Sequence, residues 1–229
     1  MSAAVISRLV VKDFLLWRRL ILVFCGASLA CIALLAMLHD RIPHLVFMNL
    51  GITLIIGPSG TLGIVLLMQT NVFEKAKSTQ PFIMSLPVTV TDFTLAKLLV
   101  NIPTFTAAWL VTAGTGFYFA FARGLLPMGA VPFVTMVFVG FFVAYVCILC
   151  VSLLCQSLGL TVLAIAFFQL LTPAYLWLVV YLEPVRRVIG GNEVIWNSTS
   201  IGVVSLQVLI AFLAVGATLL MQSRKRDFI

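Results

Sequence analysis

Six stretches of this chain are each apolar, unbroken by charge and about as long as the roughly 20 residues a helix needs to cross a bilayer core. They run Leu20 to Leu38, Leu45 to Thr70, Leu98 to Ala122, Val131 to Leu154, Leu158 to Leu182 and Ile201 to Met221. A membrane β-barrel would show a weaker, alternating pattern, so the runs predict an all-α integral membrane protein with six transmembrane helices. The whole chain, 1–229, reads as one transmembrane domain. Composition excludes the soluble class independently: 62% of residues are hydrophobic and 9% charged, against about 45–50% and about 25% in soluble domains.

Orientation follows from the cations. With the N-terminus inside, Arg8, Lys12, Arg18, Arg19, Lys75, Lys77, Lys97, Arg224, Lys225 and Arg226 share one side, and only Arg41, Arg123, Arg186 and Arg187 the other. The positive-inside rule then predicts both termini in the cytoplasm. The net charge of +7 is thereby assigned to lipid headgroups, and no nucleic-acid partner is expected. The first apolar run exceeds a signal-peptide core, so it is expected to remain as the first span.

Ahead of that span, Val5, Ile6, Leu9, Val10, Phe14, Trp17 and Ile21 recur at helical spacing, with Arg8, Lys12 and Arg19 on another side. This predicts an amphipathic interfacial helix over 5–19, the alternative being a simple extension of the first span. His39 and His44 belong to a short outer connection and read as solvated loop residues rather than metal ligands. The five cysteines, Cys25, Cys31, Cys147, Cys150 and Cys155, lie in or beside spans and read as small packing residues.

Within the second span, Gly57-Pro58-Ser59-Gly60 predicts a kink or a tight packing point. The same residues fit the G-x-S-G pattern of rhomboid-type intramembrane proteases. Such a serine needs a histidine base at its own depth, and both histidines lie outside the spans, so that chemistry is rejected. Asn49, Gly57, Pro58, Pro103, Gln169 and Pro173 are the candidates for a pathway or hinge. Asn49, Thr53, Thr61, Thr112, Thr115, Gln156, Thr161, Gln169 and Thr172 are the neutral polar groups of the spans, most of them expected in interhelical hydrogen bonds. The spans carry no acidic or basic residue, which disfavours a self-sufficient proton-coupled carrier. Outside, Glu183 to Ser200 is the longest connection. Its Gly190-Gly191 turn and flanking apolar residues predict short pieces held at the interface.

The remaining segment, 71–97, is too charged for lipid and too regular for a slack linker. Thr79 suits an N-cap, Pro81 a first turn, Phe82, Ile83 and Leu86 form one apolar face, and Pro87 ends the helix. A second start is expected at Thr91-Asp92, with Lys97 snorkelling to the headgroups. The segment resembles the loop between the second and third spans of ABC-2-type ABC-transporter permeases, where an acidic residue, a Gly-Thr pair, a short helix ending Leu-Pro-Val and a following lysine are usual. The corresponding residues are Glu74, Ser78-Thr79, Leu86-Pro87-Val88 and Lys97, with serine in place of the glycine.

The resemblance implies a membrane-spanning permease subunit of an ATP-driven exporter in the plasma (cytoplasmic or inner) membrane, dimeric with a second copy of itself or a related permease. It implies ATPase coupling through Glu74, Thr79, Phe82, Ile83, Leu86, Pro87 and Lys97. ATP and magnesium would belong to a partner ATPase, because this chain has no G-x-x-x-x-G-K-[ST] loop to cradle phosphates; no cofactor, metal or catalytic residue is expected on it. The competing readings are a non-transporting scaffold, assembly or immunity factor, and an ATP-independent carrier or channel.

Overall fold

The computed structural model describes residues 3–39, 41–76 and 89–224. Those residues contain no strand. Six helices, α1 (Ala3–Leu38), α2 (His44–Leu67), α3 (Val90–Phe117), α4 (Val131–Cys155), α5 (Leu158–Tyr181) and α6 (Ser198–Ser223), carry segments long and apolar enough to cross a membrane. The protein is therefore a multi-pass membrane protein, and the six sequence-read spans each fall on one of these helices or its continuation.

The boundaries differ where side-chain chemistry, rather than hydropathy, sets them. Residues 5–19 are not a separate helix but the first half of an unbroken α1, the extension of the first span that the sequence leaves as the alternative. Nothing at Arg18-Arg19-Leu20-Ile21 stops a helix, since none is Gly or Pro and each is a tolerable helix former. At about 1.5 Å per residue α1 is about 54 Å long, well beyond a core of about 30 Å, so its first turns overhang at the end of the bundle that carries both termini. Helix α3 starts earlier than Thr91-Asp92: Thr89 is the N-cap, its hydroxyl accepting from the Asp92 amide at 3.1 Å and donating to Asp92 Oδ2 at 2.8 Å. Thr89 is the residue still in extended backbone, ψ 157°, and an N-cap needs that geometry.

Helix α4 is the centre of the bundle, touching α2, α3, α5 and α6, with its most extensive contact to α6. The main core joins Leu67 of α2, Leu98, Phe105 and Trp109 of α3, and Tyr145, Leu149 and Leu153 of α4. The Phe105 and Tyr145 rings stack at 3.7 Å between centroids, and Trp109 extends the stack 5.7 Å from Phe105. What admits this ring pair beside α2 is Gly63, where a Cβ would come within 2.7 Å of Phe105 and 2.9 Å of Tyr145. The tight packing point is thus Gly63, not the Gly57–Gly60 group: a Cβ at Gly57 or Gly60 meets nothing within 4 Å, and α2 runs on through Pro58.

At the other end, the connection after α5 folds onto the α3–α4 connection. A one-turn helix, Glu183–Arg186, buries Val185. Gly129 donates its amide to the Gly191 carbonyl at 2.8 Å, and a Cβ on Gly129 would sit 2.0 Å from the Val188 carbonyl. Asn197 caps α6, accepting from the Ser200 amide at 2.7 Å and donating to the Pro184 carbonyl at 2.8 Å. The expected interface-held pieces become a stitched cover. His39 is not merely solvated: its ring packs edge-on against Phe47 at 5.0 Å.

Candidate functional site

Three helices converge where α2 ends and α3 begins, at the base of the 77–88 segment. From α1 come Lys12 and Asp13, from the last turn after α2 comes Glu74, and from α3 comes Lys97. Lys97 Nζ pairs with Asp13 Oδ2 at 2.7 Å and with Glu74 Oε2. Lys12 Nζ takes the other oxygen of each carboxylate, at 3.1 Å from Asp13 Oδ1 and 2.8 Å from Glu74 Oε1. The result is a closed, charge-neutral ring of alternating sign.

Burial decides what that ring is worth. The Lys97 and Asp13 side chains are 2% and 3% exposed, Glu74 12% and Lys12 41%. An exposed surface pair contributes little, but a buried charge that loses its partner costs about 3–5 kcal/mol. Lys97 therefore does not snorkel to headgroups as expected. It lies about 30 Å of helix from the far end of α3 at about 1.5 Å per residue, carboxylates take the place of lipid phosphates, and the Phe93 ring lies 5.0 Å from Nζ.

Below the ring a buried polar ladder continues into the span region. Asn101, fully buried, donates to the Lys97 carbonyl at 2.9 Å and to Thr70 Oγ1 at 3.1 Å. Asn71 donates to Ser152 Oγ at 3.2 Å, tying α2 to α4. Thr70 and Asn71 sit on a π turn, Met68–Val72, that continues α2 to a last turn at Phe73–Ala76. Such a turn admits an extra residue and is frequent at functional sites.

Of the coupling residues expected from sequence, Glu74 and Lys97 are brought together; Thr79, Phe82, Ile83, Leu86 and Pro87 lie outside the described residues. Asp13, Lys12, Asn71, Asn101 and Ser152 were not among the sequence candidates. The signal for Asp13 was one acidic residue on a helix otherwise read for its cations.

The pathway candidates do not converge. Asn49 and Gly57 are exposed and Pro58 half-buried on α2, while Gln169 and Pro173 are exposed on α5. Pro103 is exposed and lines an apolar groove of about 750 Å³ between α1 and α3, with Phe14, Ser28, Leu99 and Val111. Val10, Val11 and Val100 bring that groove next to the charged ring. The threonines expected between helices bond within their own: Thr53 to Asn49 O, Thr61 to Gly57 O, Thr112 to Ala108 O, Thr161 to Ser157 O and Thr172 to Phe168 O. A threonine hydroxyl reaches the carbonyl four residues back in its own helix and so needs no donor or acceptor from a neighbour. No protein-family model, curated protein or solved structure matches this chain.

Proposed function

We propose that this chain is the membrane subunit of an ABC-2-type exporter, working as a dimer in the plasma membrane and driven by separate ATPase subunits that dock on its 77–88 segment. One observation carries the reading. The helices on either side of that segment are clamped to α1 and to each other by the Lys12–Asp13–Glu74–Lys97 ring, so a force delivered through the segment reaches three spans at once. A scaffold has no need of a stiff base under one loop; a lever does. The groove between α1 and α3 starts beside this base and is lined almost wholly by apolar side chains, which suits a hydrophobic or amphipathic cargo such as a peptide, drug or lipid.

The ATP chemistry belongs to the partner, and this chain's part is mechanical: docking, transmission and the pathway itself. The test is co-purification with its ATPase and reconstitution in liposomes. Deleting residues 79–86 should abolish ATPase association and substrate-stimulated ATP hydrolysis while membrane insertion persists. Recovery of the chain without any ATPase, together with unchanged transport after the deletion, sinks the reading.

A further inference from the structure

Helix α5 carries a polar group with no partner among the described residues, in a place where lipid supplies none. Gln169 is the twelfth of the 24 residues of α5, about 17 Å from either end at about 1.5 Å per residue, and its side chain is exposed. None of the described residues hydrogen-bonds to its amide, whereas the buried Gln207 of α6 donates to the Met136 carbonyl and to Tyr175 Oη. Four residues on stands Pro173, inside the helix. Proline has no N–H, so the Gln169 main-chain carbonyl also lacks its usual helical donor. One residue at mid-membrane thus presents a spare donor pair and two spare acceptors.

Acyl chains can satisfy neither, and an unsatisfied amide in hydrocarbon is costly. Its surroundings permit close approach: Ala166 and Pro173, three residues before and four after, are the exposed neighbours on the same face. We infer that this face of α5 is a seam between two copies of the chain, in which the Gln169 amide of each copy donates to the Gln169 carbonyl of the other across a two-fold axis. A second copy is the occupant that the chemistry selects, because a two-fold axis brings the same donor and the same acceptor to the same depth in reverse order. The inference rests on the dimer of the proposed function, for which it names the seam, but its test needs neither ATPase nor substrate.

The full chain is reconstituted in phosphatidylcholine–phosphatidylglycerol vesicles and dimer fraction is read by energy transfer across a range of protein-to-lipid ratios. Gln169→Leu should weaken dimerisation about tenfold. Pro173→Ala, which returns a helical donor to the carbonyl, should weaken it by less while leaving helical content unchanged or higher. In a variant with all five cysteines replaced by alanine, Ala166→Cys should form an oxidant-dependent disulfide dimer and Leu213→Cys, exposed on α6, should not. A wild-type chain that stays monomeric at every ratio, a Gln169→Leu chain that dimerises like wild type, or equal cross-linking at both cysteine positions would each overturn the seam.

Discussion

The α2–α3–α4 junction and the outer faces of α1 and α5 follow opposite packing rules. At the junction, rings stack at 3.7 Å, a glycine is needed for clearance and buried polar side chains meet one another. On the outer helices, Val23 of α1 and Leu163 and Leu170 of α5 are 68%, 64% and 78% exposed. In water the second pattern would be an aggregation surface. In a bilayer it is neutral, because lipid tails are as apolar as leucine and burial against another helix gains little. The lesson is that, in this chain, polar groups and close fits specify which helices meet, and apolar content only keeps them in the membrane.

Three substitutions grade that contrast. The largest effect is expected for Lys97→Met, which takes from the buried Asp13 and the half-buried Glu74 the one fully buried cation of the ring; stability in detergent should fall by about 3–5 kcal/mol, read as a drop in unfolding temperature. Gly63→Leu comes next. It drives a side chain into the Phe105–Tyr145 stack and should cost about 1–3 kcal/mol by the same measurement, with the aromatic near-ultraviolet signal reduced. Val23→Ala on α1 is the smallest, within about 0.5 kcal/mol of wild type. If Val23→Ala costs as much as Gly63→Leu, the outer face is buried against protein and the contrast fails.

The spans were legible because hydropathy over about 20 residues is a long, redundant signal that no single residue can spoil. The charged ring was not. Asp13 and Lys97 belong to separate helices, and nothing local marks Asp13 as the partner of a lysine on α3. Asn71 belongs to the polar interruption and Asn101 to the third span, and neither position marks a place in the ladder beneath the ring. Gly63 escaped for the converse reason: the conspicuous Gly57-Pro58-Ser59-Gly60 cluster lies on the same helix, but which glycine faces a ring depends on rotation about the axis, and composition does not report rotation. The π turn at Met68–Val72 leaves no periodic trace either.

That π turn has a consequence for timing as well as for place. It stands between the body of α2 and Glu74, and it holds one residue more than an α-helical turn. Expelling that residue would turn everything beyond it by about 100° about the helix axis, since about 3.6 residues make a full circle. Glu74 would swing off Lys97 as a cam follower leaves its lobe, and Lys12 would lose it in the same motion, while Asp13 would keep both lysines. The grip of the clamp on α2 therefore depends on the residue count of that one turn.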